Sequence, residues 1–205
     1  MIQRILEKNK IFLLFFSQYF YMGLFTIFSM RVFVAVDTPK SVVEELKMIQ
    51  KSLREAELKL VKDFHLTLKF LGDVPEPRIE MVKEALKKIK FKPFKTQLTE
   101  IGVFPNPNYI KVVWVGISPD NFISLQKQVD DVFEKLGFKR DKRFHPHLTL
   151  ARVKFVKDKE GFKKTLREIK VEKWEFEVNE FKLIKSMLTK QGPIYEDLAV
   201  FKLIL

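Results

Sequence analysis

The segment Phe64–Leu71 reads FHLTLKFL, and its tetrapeptide HLTL at residues 65–68 recurs unchanged at residues 147–150. Both copies alternate polar and apolar residues, which is typical of a β-strand with one buried face. Side chains at positions i and i+2 of a strand share a face, so each copy presents an imidazole and a hydroxyl together. The leucines of each copy point into the opposite layer. The sequence therefore predicts two similar rigid platforms, each suited to carry a functional site.

The elements around these motifs predict an α+β fold with helices packed on antiparallel sheets. Alternating apolar patterns predict strands at residues 31–37, 64–71, 96–104, 109–117, 147–153, 174–188 and 195–205. Apolar residues at helical spacing, with Pro or Gly at the ends, predict helices at residues 38–53, 77–90, 122–136 and 160–169. The order lacks the steady alternation of a doubly wound sheet. With seven glycines in all, the sequence has no Gly-rich phosphate-binding loop.

Composition narrows the chemistry that the chain can perform. Its 205 residues include no cysteine and three histidines. This excludes a disulfide scaffold, a thiolate zinc site, an iron–sulfur cluster and a cysteine nucleophile. The formal charge is +12, with 38 basic residues against 26 acidic ones. That excess favours a polyanionic partner.

Residues 1–29 form an apolar leader that differs from the rest of the chain. No charge occurs in residues 11–30, and Arg4, Lys8 and Lys10 precede this run, as in a signal anchor. The alternative is a start codon placed too early, because an excellent strand follows Met30 directly. The leader holds three basic residues and one acidic residue, so residues 30–205 keep +10 of the charge.

Two histidine platforms that face one another across a groove would form a pair of acid/base groups. An imidazole titrates near neutral pH, so one ring can be neutral while the other is protonated. This suits in-line displacement at phosphorus, in which His65 and His147 exchange protons with the entering and leaving oxygens. The hydroxyls of Thr67 and Thr149 would donate hydrogen bonds to phosphate oxygens. Such a scheme requires no metal.

The paired HLTL motifs resemble the His-x-Thr-x motifs of the two-histidine phosphoesterase superfamily. The similarity is closest to its branch of RNA 2′,3′-cyclic phosphodiesterases, also called 2′-5′ RNA ligases. It covers residues 30–205 and includes MRVFVAVD, FHLTLKFLGDV, GVFPNPNYIKVVWVGI, PHLTLAR and the closing KSML…GPIYEDLAVFKL. The resemblance implies one domain of two pseudo-symmetric lobes around a central cleft that holds His65, Thr67, His147 and Thr149. The leader lies outside it.

The resemblance also implies an activity and its partners. The expected reaction opens 2′,3′-cyclic phosphate ends of RNA to 2′-phosphates, and an ATP-independent 2′-5′ ligation of RNA ends is the related reaction. We expect no cofactor and no metal, a monomer, a cytoplasmic location, and cleaved tRNA as one source of substrate. A membrane is a partner only if the leader is real. The alternative function is a non-catalytic module that binds RNA or nucleotides in the same cleft.

Several further residues are candidates for contact with phosphate or RNA. Unbroken strand parity turns Arg152 away from the His147 face, although a bend could return it to the phosphate. The same parity places Lys69 on the His65 face. Lys142 and Arg143 belong to a basic cluster before the second motif, and Tyr195 could stack on a base. His145 forms a His-x-His pair with His147, which indicates either a loop residue at the cleft edge or part of a metal site.

Overall fold

Two antiparallel sheets and four helices form the part of the chain that the computed structural model describes, residues 28–190 and 192–204. The helices are α1 (Lys40–Ser52), α2 (Ile79–Leu86, after a 3-10 turn at Glu76–Arg78), α3 (Asp120–Glu134) and α4 (Lys159–Glu168). The strands are β1 (Ser29–Asp37), β2 (Ala56–Leu60), β3 (His65–Pro75), β4 (Phe94–Asn106), β5 (Tyr109–Ile117), β6 (His147–Val156), β7 (Glu175–Val178), β8 (Glu180–Thr189) and β9 (Gly192–Lys202). The predicted α+β architecture is confirmed.

Each sheet contains one of the two motif strands. The first sheet has the strand order β3-β1-β8-β9, and the second has the order β2-β6-β5-β4-β7. The motif strands β3 and β6 begin at His65 and His147, and each pairs with an apolar strand, β1 or β5. The two sheets are therefore built alike around their motifs.

The helices cover the face of each sheet that lies opposite the histidines. Helix α3 packs against β3, and α1 packs against β6. The apolar stripe of α3 is fully buried through Phe122, Leu125, Val129 and Phe133. It belongs to one core with the leucines of both motifs, Leu66, Leu68, Leu148 and Leu150. Burial of this apolar surface holds the motif strands in place from behind.

A β-bulge lies at the last residue of each motif, Leu68 or Leu150. In the first sheet Val34 pairs with Lys69 and Ala35 pairs with Thr67, so Leu68 is an extra residue. In the second sheet the pairs are Val113 with Ala151 and Trp114 with Thr149, so Leu150 is the extra residue. An extra residue reverses the side-chain parity of everything beyond it. The residues that follow each motif therefore face the opposite way from the alternation in the sequence.

A buried ion pair ties the end of the first motif to the approach of the second. The Lys69 Nζ atom lies 2.5 Å from Asp130 Oδ1 on α3 and donates to the Lys139 carbonyl at 2.8 Å. Asp130 also accepts from the backbone N–H of Asp141 at 3.1 Å. Burial raises the pKa of the Asp130 carboxyl, but its hydrogen bonds, first of all the one from Lys69, outweigh this and lower the pKa. The loop that leads to His147 is thus fixed to the back of the first sheet.

Two features of the strand pattern differ from the sequence prediction. The single strand predicted at residues 174–188 is wrong, because the chain leaves the second sheet after β7 and enters the first sheet with β8. Asn179 lies at this crossing, and its carbonyl accepts from the Leu203 N–H at 2.8 Å. The sequence pattern does not predict the edge strand β2, which pairs with β6. This strand, AELKL, has only five residues, and most of them are charged or exposed, which is typical of an edge strand.

The predicted leader lies almost wholly outside the described residues, which begin at residue 28. Its last residue, Ser29, is the first residue of β1, and the carbonyl of Phe28 accepts from the Glu76 N–H at 2.9 Å. Within residues 28–190 and 192–204, no helix is long and apolar enough to cross a membrane.

The Lys69–Asp130 pair gives a testable prediction about stability. The variant Lys69→Ala leaves the Asp130 carboxylate buried without its cation, and loss of one partner of a buried pair costs about 3–5 kcal/mol. We expect a decrease of that size in the free energy of unfolding, measured by urea denaturation. The control variant Lys87→Ala removes only an exposed pair with Glu84 and should change little. A Lys69→Ala protein as stable as wild type would contradict the role of this pair.

Candidate active site

The two motifs present their polar side chains on the faces of the sheets that the helices leave open. His65, Thr67, His147 and Thr149 are all partly buried, while the intervening leucines are in the core. The strands β3 and β6 that carry them contact each other, and the charge of His147 contributes to lowering the pKa of His65. The two motif strands therefore lie next to each other, which the predicted shared cleft requires.

Aromatic rings and carboxylates surround His65. Its ring packs on Phe33 at a centroid distance of 4.9 Å and edge-on to Tyr195 at 5.1 Å. Asp37 is its direct partner across the β1–β3 ladder. Burial lowers the pKa of His65, while the charges of Asp37 and Asp63 act against this, and the net pKa is below the ordinary value of 6.5. The environment thus favours a neutral ring with carboxylates ready to stabilise the protonated form.

Lys182 fixes the carboxylates beside His65. Its Nζ atom lies 2.5 Å from Asp37 Oδ2 and 2.6 Å from Asp197 Oδ2. The hydrogen bonds that Lys182 donates to Asp197 and Asp37 raise its pKa well above its usual range, so it remains cationic. Asp37 is therefore held in place next to the imidazole.

A backbone carbonyl orients His147. Its Nδ1 atom lies 2.7 Å from the carbonyl oxygen of His145. A carbonyl can only accept, so Nδ1 carries a proton and Nε2 is the atom left for chemistry. The ring packs edge-on to Phe104 at 5.0 Å. Burial lowers the pKa of His147, and the hydrogen bond to the His145 carbonyl only partly opposes this.

Trp114 supports the histidines of the second sheet and depends on a glycine. Its indole lies 4.5 Å from the His145 ring and 5.9 Å from the His147 ring, measured between centroids. Gly102 pairs with Trp114 across the β4–β5 ladder. A Cβ at Gly102 would come within 2.1 Å of the indole, so only glycine leaves room for this ring. The His145 ring is thus part of an aromatic packing frame.

Among the described residues, no group of three or more His, Cys, Asp or Glu side chains could hold a metal ion.

The bulge at Leu150 places Arg152 on the cleft face. Arg152 pairs directly with Val112, while Ala151 and Val153 on either side are buried. Its charge lowers the pKa of Tyr195, although burial is the larger effect and the net pKa of that hydroxyl is raised. Arg152 of the second sheet therefore lies within electrostatic reach of Tyr195 of the first. Of the two alternatives that the sequence leaves open for Arg152, the structure shows the bend, which the bulge at Leu150 supplies.

The equivalent bulge at Leu68 moves Lys69 away from the cleft. Lys69 is 3% exposed and lies in the core beside Asp130, so the prediction that it reaches the RNA backbone is wrong. Phe70 takes the cleft face instead, opposite Phe33. Lys142 and Arg143 are exposed in the loop before His147, in agreement with a solvated basic approach.

A cavity of about 380 Å³ opens beside His65. Its lining includes Asp37, Asp63, Phe64, His65, Ile184, Pro193, Ile194, Tyr195 and Asp197. Sequence analysis does not identify Asp37, Lys182 or the His145 carbonyl as site groups. Asp37 ends a predicted strand and resembles an ordinary turn residue, while a backbone carbonyl has no residue signature. Only the pairing of strands brings these groups to the imidazoles.

Two similar sheets that bring one His-x-Thr pair each to a shared cleft define a two-histidine phosphoesterase. The sequence profile described as LigT like Phosphoesterase matches residues 36–114 and again residues 115–195. The chain belongs to this family, which confirms the resemblance found in the sequence.

Proteins similar to this chain include two from archaea named RNA 2′,3′-cyclic phosphodiesterase. The protein of Methanocaldococcus jannaschii is 42% identical over 171 residues, which cover 82% of this chain and 97% of the relative. That of Archaeoglobus fulgidus is 40% identical over 178 residues, which cover 84% of this chain and 100% of the relative. The similarity therefore extends over nearly the whole length of both relatives.

Solved structures share the fold. The protein TT0787 of Thermus thermophilus has a TM-score of 0.70 at 30% identity, covering 85% of this chain and 98% of that one. LigT of Escherichia coli, in a crystal with 3′-AMP, also has a TM-score of 0.70, at 24% identity and covering 86% and 99%. At this identity the second comparison supports the fold alone.

The surroundings of the two imidazoles predict their titration. Burial lowers the pKa of both His65 and His147 below 6.5. In NMR spectra recorded against pH, we expect both ring Cε1–H resonances to titrate with midpoints below pH 6.5 in the folded protein. The same resonances in urea should titrate near 6.5, and the variants His65→Asn and His147→Asn assign them. A folded-state midpoint above the unfolded one would contradict burial as the dominant cause.

Proposed function

We propose that this chain opens 2′,3′-cyclic phosphate ends of RNA to 2′-phosphates, with His65 and His147 as the acid/base pair. The observation that carries the proposal is the pair of His-x-Thr motifs at equivalent registers of β3 and β6, two strands that contact each other. The relatives named RNA 2′,3′-cyclic phosphodiesterase support the substrate and the reaction. The chain is an enzyme of this class.

The reaction needs two proton transfers and one exchange of bonds at phosphorus. A water molecule attacks the phosphorus and gives a proton to the neutral imidazole. The bond from phosphorus to the 3′ oxygen breaks, and the protonated imidazole donates its proton to that oxygen. One histidine accepts a proton and the other gives one, so the pair supplies the general base and the general acid without a metal.

The phosphate is held by groups on the cleft face around the histidines. Thr67 and Thr149 lie two residues beyond each histidine, and their hydroxyls can donate to the non-bridging oxygens. Arg152 adds a guanidinium, whose planar fork suits a phosphate better than an ammonium does. Tyr195 packs edge-on against His65 and so fixes the orientation of that ring. These four residues position the reacting group.

The same site can carry out the 2′-5′ ligation of RNA ends. If the 5′ hydroxyl of a second RNA takes the place of water, the same bond to the 3′ oxygen breaks and a 2′-5′ phosphodiester forms. The cyclic phosphate is exchanged for another diester, so the step needs no ATP. In the cell, we expect the monomeric chain to act in the cytoplasm on RNA fragments such as cleaved tRNA, with Lys142 and Arg143 contacting the RNA backbone.

Replacement of either histidine tests this mechanism. With an RNA that ends in a 2′,3′-cyclic phosphate, we expect His65→Ala and His147→Ala to lower kcat by about 10²–10⁴-fold, because each removes one proton transfer. Wild type should keep its rate in EDTA, and chromatography should identify a 2′-phosphate product or a 2′-5′ joint. Unfolding curves control for loss of fold. A wild-type protein that binds the RNA without turnover would favour the binding module, and loss of activity in EDTA would contradict metal independence.

Arg152 offers a second test, which separates binding from chemistry. The variant Arg152→Gln removes a charge-assisted contact to the phosphate, and such contacts contribute about 1.5–3 kcal/mol. We expect KM for a cyclic mononucleotide to rise at least about tenfold, and Arg152→Lys should restore part of the loss through its charge. If Arg152→Gln has the same KM as wild type, Arg152 does not contact the substrate.

A further inference from the structure

A second groove lies on the second sheet, at the ends of β5 and β6 that are remote from the motifs. It encloses about 210 Å³. Two large aromatic side chains in its lining are exposed to solvent, Tyr109 at 59% and Phe155 at 61%. Nothing in the reaction at the histidines uses these two rings.

Further bulges bring both rings to the cleft face of the sheet. Phe155 pairs with Glu57 and Val153 with Leu58, so Lys154 is an extra residue in β6. Since Val153 and Val156 pack into the core, Phe155 points the other way, as Arg152 does. A row of residues thus runs along one face of β6, namely His147, Thr149, Arg152 and Phe155.

Tyr109 reaches the same face by the same device. In the β4–β5 ladder Phe104 pairs with Val112 and Pro105 with Ile110, so Lys111 is the extra residue. Ile110 packs against the core, and its neighbour Tyr109 therefore points to the opposite face. The cleft face of the second sheet is continuous from the histidines to the groove.

The charge around the groove is largely positive. The Lys111 Nζ atom lies 4.6 Å from the centroid of the Tyr109 ring, in a cation–π contact. Lys154 and Lys159 also line the groove. The Lys154 Nζ atom lies 2.9 Å from Glu57 Oε1, so this lysine is paired with a carboxylate. Lys159 is the first residue of α4. Exposed aromatic rings among lysines are the surface that single-stranded nucleic acids bind, with bases on the rings and phosphates on the cations.

We infer that Tyr109 and Phe155 form a second RNA subsite, which stacks a base of the single-stranded segment on the 5′ side of the reacting end. This inference rests on the proposed function, because the RNA end must occupy the cleft at His147. Charge complementarity and the continuous face select this occupant.

The distance from the histidine sets the length of RNA that can use the subsite. Phe155 lies eight residues beyond His147 in β6, but the two bulges leave six ladder steps between them, or about 20 Å at about 3.3 Å per step. A dinucleotide with its end at His147 cannot reach that far. The seven spacings of an octanucleotide cover about 24 Å even at the stacked spacing of about 3.4 Å per nucleotide, so it spans the distance.

The experiment compares two RNA lengths with variants that keep or remove the rings. The probes are a dinucleotide and an unstructured octanucleotide that end in a 2′-phosphate, and their Kd values are measured by fluorescence anisotropy. We expect Tyr109→Leu and Phe155→Leu each to raise Kd for the octanucleotide about fivefold or more, as loss of one stacked base would. Kd for the dinucleotide should not change. The matched variants Tyr109→Phe and Phe155→Tyr keep the rings and should bind like wild type.

Two results would overturn the subsite. One is an unchanged Kd for the octanucleotide in both leucine variants, which would leave the lysines as a purely electrostatic surface. The other is an equal loss for both RNA lengths, which would indicate damage to the fold or to the active site. Turnover by wild type of a linear dinucleotide that ends in a 2′,3′-cyclic phosphate tests the proposed reaction separately. Failure of that reaction is therefore distinguishable from failure of the subsite.

Discussion

One extra residue in each motif strand determines what faces the cleft. Without the bulges at Leu68 and Leu150, Lys69 would point toward the substrate and Arg152 would be buried. With them, the lysine joins a core ion pair and the arginine joins the histidines. Bulges next to active sites commonly re-aim a side chain in this way. The Leu150 carbonyl at the second bulge also accepts from Gln50 Nε2 at 2.7 Å and from the Val61 N–H at 2.9 Å, so the irregularity is fixed by hydrogen bonds.

The two halves of the cleft are alike in backbone but different in chemistry. The position opposite His65 in the neighbouring strand is Asp37, and the position opposite His147 is Gly116. A carboxylate therefore stabilises the protonated form of one imidazole, whereas a carbonyl fixes the tautomer of the other. A symmetric frame with unequal partners can give its two histidines different roles, as a reaction with one base and one acid requires.

The sequence predicts the elements and the four motif residues because both depend on local patterns. The duplicated HLTL tetrapeptide, the alternation of β1 and the amphipathic stripe of α3 can all be read within a few residues. The faces of Lys69 and Arg152 cannot, because a bulge is a property of two paired strands. The transfer from the second sheet to the first at Asn179 leaves the apolar pattern uninterrupted, so one long strand is the natural prediction there. Site groups such as Asp37 and the His145 carbonyl depend on tertiary pairing.

The crossing at Asn179 also affects the order in which the chain can fold during synthesis. All five strands of the second sheet precede that residue, so this sheet can assemble as soon as β7 has left the ribosome. The first sheet pairs β1, the earliest of the described strands, with β8, which is made almost last. Until β8 and β9 arrive, the open edge of β1 and the cleft-side cluster of Phe33 and Ala35 lack their partners. Pairing between strands so distant in sequence is slow. The active site of the nascent chain therefore remains incomplete, with apolar residues exposed, until β8 and β9 have paired.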